Sequence, residues 1–394
     1  MSVVSPEPRR RRLWTLFLMP ALVLVLAILW SGFWFYAANQ ASERLDAWRE
    51  QEAKSGRVFE CGDRSIAGFP FRLEVRCSGA SVALVSQTAG QDAREPVNVK
   101  LSGLLAVAQI YDPQKMIVEF SAPASVADGS SPPSLFVNWS RARASATGLP
   151  QTPDRGSLVF DDPVVEQVRP EGRTVVGRGK LVELHGRIAE GSARENPVVE
   201  TAFQAEALSL PDVHPVLAEP FSADIRALLR GLNNLTPKPW PERFRQLQAA
   251  GGRIEITRSR IQQGDLLAIA SGSLGLTESG KLDGLLSITV AGIDTVIPKL
   301  GLDQLLQSQG TLDRVAPGVK SDDVNKVLGA LDRMIPGLGR TARQSVNASA
   351  SAGIAMLGQP ATLEGRKALA LPLRFVDGAV HIGPLKVGEV PPLF

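Results

Sequence analysis

Two cysteines and three histidines are the only residues of their kinds in 394, so thiol, imidazole or metal chemistry would have to come from Cys61, Cys77, His185, His214 and His381. Fifteen residues separate Cys61 from Cys77. Redox pairs generally use Cys-x-x-Cys spacing, so a structural disulfide is the expectation here and a redox pair the alternative. A loop of that size contributes about 3 kcal/mol in the chain-entropy treatment. No two histidines stand at metal-ligand spacing: His185 alternates with apolar residues, His214 sits in Pro211-Asp212-Val213-His214-Pro215, and His381 lies near the carboxyl terminus. Asp161-Asp162-Pro163 reads as a turn and Asp322-Asp323 as the first turn of a helix. The chain has no glycine-rich phosphate loop opening a helix and no Gly-x-Ser-x-Gly elbow. No catalytic, cofactor-binding or metal-binding residue is assigned, no cofactor is expected, and the chain reads as non-enzymatic.

The elements that would position these residues begin with a membrane segment. From Leu13 to Ala38 the chain runs 26 residues without a charge, long enough to span a bilayer with some tilt. Trp14 marks one end and Trp30, Trp34 and Tyr36 the other, as in the aromatic belts of spanning helices. A cleaved signal peptide is the alternative, but its apolar core is usually only about 7 to 15 residues. Arg9 to Arg12 hold that end in the cytoplasm and place the main body in the periplasm, where thiols oxidise. These four account for the excess of 43 basic over 40 acidic residues: with Glu7 set beside them, the remainder carries 39 of each. A neutral body has no basic field with which to collect phosphates, so nucleic acid is not an expected partner.

Beyond the anchor the organisation reads as follows: a basic tail over 1–12, the anchor over 13–38, a helical stalk over 39–56, a first β-rich half over 57–235 and a second over 236–394. Alternation is the recurrent signal. Leu73, Val75 and Cys77 alternate with Arg72, Glu74 and Arg76, and Val182, Leu184, Gly186 and Ile188 with Glu183, His185 and Arg187. Residues 253 to 290 read as a three-stranded antiparallel meander turning at Gly264-Asp265 and Glu278-Ser279-Gly280. Gly-Lys-Leu recurs at 179–181 and 280–282, opening a strand each time. Helices are expected over 241–250, 292–310 and 321–335, with a loosely packed one over 341–357; the segment 221–232 fits strand or helix and is read as strand. A hairpin through Asp377-Gly378 joins 369–375 to 380–387. The fold class is mainly β (α+β): an N-terminal transmembrane helix, then a curved antiparallel β-meander sheet with a few covering helices.

The run Gly68-Phe69-Pro70-Phe71-Arg72-Leu73-Glu74-Val75-Arg76-Cys77, following one anchor, resembles the bacterial envelope family catalogued as domain of unknown function 2125. Pro239-Trp240-Pro241-Glu242-Arg243, Ala249-Ala250-Gly251-Gly252-Arg253, Val376-Asp377-Gly378 and Pro391-Pro392-Leu393-Phe394 are similar to later blocks of that family. The resemblance carries no functional residues. More distantly, an anchor followed by glycine-punctuated strands resembles AsmA-type envelope proteins, whose curved sheets shield lipid chains; that likeness is architectural. Two readings follow. One is an inner-membrane-anchored periplasmic protein presenting an apolar sheet face to lipid, the candidate groove being Leu266, Gly272, Leu274, Leu282, Gly284, Leu286 and Ile288. The other is a periplasmic scaffold for an envelope complex, with a closed core and a protein partner in place of lipid. The inward glycines admit two readings as well, strong twist or room for a ligand chain.

Overall fold

The computed structural model describes residues 14–85, 96–213, 215–236, 238–293, 358–382 and 385–393. Its first element is one uninterrupted helix, α1 (Trp14–Lys54), which carries Pro20 inside its apolar part. The part from Phe17 onward is long and apolar enough to cross a membrane, and it fits a single-pass anchor. The expected stalk does not stand free. Asp46 accepts two hydrogen bonds from the Arg64 guanidinium (2.6 and 3.1 Å), Arg49 donates to Phe59 O (2.8 Å), and the Trp48 and Phe59 rings lie 4.9 Å apart, so the helix is bound to the first strand along its length.

Among the described residues nineteen strands follow in one antiparallel sheet. They are β1 (Arg57–Ala67), β2 (Arg72–Leu84), β3 (Val97–Gln109), β4 (Asp112–Asp128), β5 (Leu135–Asn138), β6 (Arg141–Thr147), β7 (Arg155–Asp161), β8 (Val164–Arg169), β9 (Gly172–Arg178), β10 (Leu181–Ser192), β11 (Glu195–Leu208), β12 (Phe221–Arg230), β13 (Arg253–Gln263), β14 (Leu266–Leu276), β15 (Leu282–Ala291), β16 (Gln359–Leu363), β17 (Arg366–Val376), β18 (Ala379–Ile382) and β19 (Leu385–Glu389). Most neighbours in the sheet are neighbours in the chain. The exceptions are β7 with β10, β4 with β6, β5 with β8 and β15 with β17, and the first of these lets β8 and β9 form a side flap reached through β5. The sheet does not close: among the described residues β1 pairs only with β2, and β19 only with β18.

The meander over 253–290 is present as β13, β14 and β15, and the ambiguous segment after Phe221 is the strand β12. Leu181 and Leu282 of the two Gly-Lys-Leu runs each open a strand. β12 pairs with β13, so the sheet continues across residue 235. The closing hairpin differs from its expectation in one respect: 380–387 falls in two strands, β18 and β19, which pair antiparallel with Ile382 opposite Leu385. Helix α2 (Trp240–Ala249) matches the expected helix; Leu247 is buried beneath it, and Gly252 N–H bonds back to Leu247 O. The expected helices over 321–335 and 341–357, most of the one over 292–310, and His214 lie outside the described residues.

Candidate functional site

The pairing registers bring together residues that the sequence keeps far apart. Directly opposed residues on antiparallel strands share a face of the sheet. Followed from strand to strand, one such row reads Ile66, Val75, Ala106, Val118, Ala144, Leu158, Leu184, Phe203, Ile225, Ser259, Ala270, Ile288 and Leu371. The adjacent row on the same face reads Cys77, Leu104, Phe120, Ala142, Phe160, Val182, Ala205, Ala223, Ile261, Ala268, Val290 and Leu369. At about 4.8 Å per strand step, each row runs roughly 60 Å along the sheet. The opposite face is different in kind, with Arg76, Glu119, Arg143, Glu183, Asp224 and Arg260 in one register. Its charges pair laterally, as in Arg141 with Asp161 (2.8 Å) and Arg230 with Glu255 (3.0 Å), and His185 hydrogen-bonds to Glu183 along its own strand (2.9 Å).

Coverage of the apolar face is uneven. Leu184, near its middle, is 50% exposed, and Leu158, Phe203 and Ile225 around it are half-buried. Toward β15 and β17 the face is filled by its own side chains: Leu274, Leu286 and Phe375 form a buried cluster, against which Ile256, Leu282, Leu373, Val380 and Val390 pack. The residues singled out from sequence lie at this filled end. Leu266, Leu282 and Ile288 are half-buried there, and Leu274 and Leu286 belong to the cluster. Gly272 and Gly284 stand where β14 and β15 come close. Each has a positive φ (149° and 148°), and a Cβ would lie 2.2 Å from Leu285 O or Ser273 O, so these glycines let β14 and β15 approach. The exposed part of the face is centred on Leu184. The alternation around Leu184 was visible in the sequence; its alignment with β7 and β11 was not.

A second constellation joins the anchor to the sheet. Trp34 is 5% exposed and donates its indole N–H to Arg72 O (2.9 Å), while Trp30 donates to Pro70 O (2.9 Å). Cys61 and Cys77 are bonded to each other across β1 and β2, with Cα atoms 5.7 Å apart. The Arg64 guanidinium beside Asp46 holds that carboxyl below the usual carboxylate range, and Arg76 and Arg72 on either side of buried Glu74 lower its pKa likewise. The expected charged strip of β2 is therefore an ion-paired ladder, one carboxylate between two guanidinium groups, with Glu74 at 2.6 Å from Arg72 and 2.9 Å from Arg76.

A shallow cleft between β6, β7 and β10 is lined by Ser140, Arg141, Asp161, Asp162, Lys180, Leu181 and Glu206. Its charged groups engage one another: Arg141 with Asp161, Lys180 with Glu206, and Ser140 Oγ–H with Asp162. Among the described residues no three metal-ligating side chains converge.

The model of the family described as "Uncharacterized protein conserved in bacteria (DUF2125)" matches residues 34–391, which take in Trp34, the turn at 68–71 and the sheet. Comparison with curated proteins and with solved structures gives no match in either case.

Proposed function

The chain belongs to this bacterial family, and from that premise we propose that it is a non-enzymatic, inner-membrane-anchored periplasmic protein whose sheet shelters lipid acyl chains along its apolar face. The observation that supports this is the register: one apolar row continues from β1, beside the anchor, to β17, and the adjacent one from β2 to β17. Acyl chains gain from area, at about 25 cal/mol per Å² removed from water, and they ask for no directed hydrogen bonds. A face roughly 60 Å long with few polar interruptions suits them better than a sugar or nucleotide, which needs convergent polar groups. The same alternation would serve a partner-binding scaffold with a closed core, and the filled Leu274–Leu286–Phe375 end favours that second reading locally.

The experiment is lipid analysis of the full-length protein purified in mild detergent, with Leu184→Glu beside wild type. Annular lipid around α1 is common to both proteins, so the difference between them reports the face. We expect wild type to carry several-fold more lipid than the variant, with the disulfide formed in both. Equal lipid in the two would favour the closed scaffold. The orientation rests on Arg9 to Arg12 before the apolar run, together with a disulfide that suits an oxidising compartment. Alkaline phosphatase fused after Phe394 is expected to be active; an inactive fusion would reverse the assignment.

A further inference from the structure

We propose that the turn at 68–71 is a second membrane contact, in which Phe69 and Phe71 lie in the headgroup layer of the bilayer that α1 enters. The inference rests on α1 as an anchor and is independent of what occupies the apolar face.

A hydrocarbon core about 30 Å thick takes about 20 residues of helix at 1.5 Å each, so counting from Leu13, directly after Arg9 to Arg12, its far boundary falls near Phe33. The turn is fastened to the helix at that level: Trp30 bonds to Pro70 O and Trp34 to Arg72 O, both at 2.9 Å. The strands of β1 and β2 then run back beside the rest of α1, away from the apolar segment, with Arg64 on Asp46 and Arg57 on Glu52. The tip of this hairpin is thus the part of the sheet nearest the membrane.

The tip is also apolar where water would ordinarily demand otherwise. Phe69 is 53% exposed and Phe71 64%, although their rings already touch the helix, at centroid distances of 5.6 Å for Trp34–Phe69 and 6.5 Å for Trp30–Phe71. The next turn continues the patch: Ile110 N–H bonds to Phe71 O (3.0 Å), and Tyr111 beside it is 67% exposed. Aromatic side chains grouped at one edge and left half in water mark an interaction surface. Here the partner is set by position, because the same helix that carries Trp30 and Trp34 continues directly into exposed Leu29, Ile28 and Leu26. Rings at this depth form part of an aromatic belt built from two segments of the chain.

The test uses the full-length protein reconstituted in phosphatidylethanolamine and phosphatidylglycerol vesicles. The native cysteines are bonded to each other, so Phe71→Cys, Tyr111→Cys and Val213→Cys each supply one thiol for an environment-sensitive fluorophore. Val213 is 68% exposed in the β11–β12 connection, at the opposite end of the strands, and serves as the aqueous reference. We expect a blue shift at 71 and 111, quenching there by headgroup-level nitroxide lipid, and loss of iodide quenching relative to 213. Iodide quenching at 71 and 111 as strong as at 213 overturns the proposal. Protection in native membranes but not in pure lipid vesicles also overturns it, since a protein would then be covering the tip. If the Phe71→Cys protein does not fold, the Tyr111→Cys reading decides.

Discussion

Gly272→Ala is expected to destabilise the sheet by about 2 to 6 kcal/mol, combining ~1–3 for a side chain held at a disfavoured positive φ with ~1–3 for overpacking. The Cβ would sit 2.2 Å from Leu285 O and 2.8 Å from Leu286 Cα, and both are backbone atoms that cannot rotate away. Leu286 belongs to the buried cluster with Leu274 and Phe375, so any shift that relieves the clash opens that cluster. Gly186→Ala is the matched control. Gly186 lies on the same apolar face, opposite Thr201 and Gly156, and a Cβ there meets nothing within 4 Å. It should stay within about 1 kcal/mol of wild type, on the stabilising side, because alanine restricts the unfolded chain. Denaturant midpoints of the three proteins in one detergent provide the check. Coincident Gly272→Ala and wild-type curves would refute the assigned close approach of β14 and β15.

Cys77→Ser should lower stability by about 2 to 5 kcal/mol. Cys77 is buried on β2, so the substitution removes the cross-link to Cys61 and also places a hydroxyl in an apolar row beside Leu104. The loss falls on the hairpin that Trp30, Trp34 and Asp46 fasten to α1, so accelerated proteolysis should appear first between β1 and β2. Denatured, unreduced wild type should show no free thiol. Two labelled thiols per chain, or a variant as stable as wild type, would remove the bond from the account.

The strands were legible because each carries its own two-residue period. Val97 to Val107, Val182 to Ile188 and the meander after Arg253 all alternate within a single segment, and that local signal survives without knowledge of neighbours. The helix α2 was legible from Pro241 and Glu242 at its start and Gly251-Gly252 at its end. Register was not legible. That Leu184 lies opposite Leu158 on one side and Phe203 on the other depends on β7 skipping β8 and β9 to reach β10, a pairing without a local signature. The inward glycines could be read from sequence as twist or as ligand space; that the carbonyls of Leu285 and Ser273 lie against Gly272 and Gly284 depends on register and had no local signal. The Gly-Phe-Pro-Phe block was visible as a motif, while its attachment to Trp30 and Trp34 is a contact across some 40 residues that periodicity does not encode.

Among the described residues the open sheet ends at β1 and β19, besides the outer sides of β9 and β16, and an unpaired margin is a template on which further copies can stack. At β1, Arg49 reaches over from α1 to take Phe59 O through two N–H groups (3.0 and 2.8 Å), so a helix side chain occupies an acceptor that a stacking strand would use. At the other end β19 is only five residues long, Lys386 and Lys281 both draw on Glu389 (2.7 and 3.6 Å), and Pro391 and Pro392 follow at once with no N–H to offer. Polymerisation by strand addition is hindered at both ends, by a guanidinium at one and by charge, brevity and proline at the other. The first and last strands of the sheet are therefore poor seats for a strand from another copy.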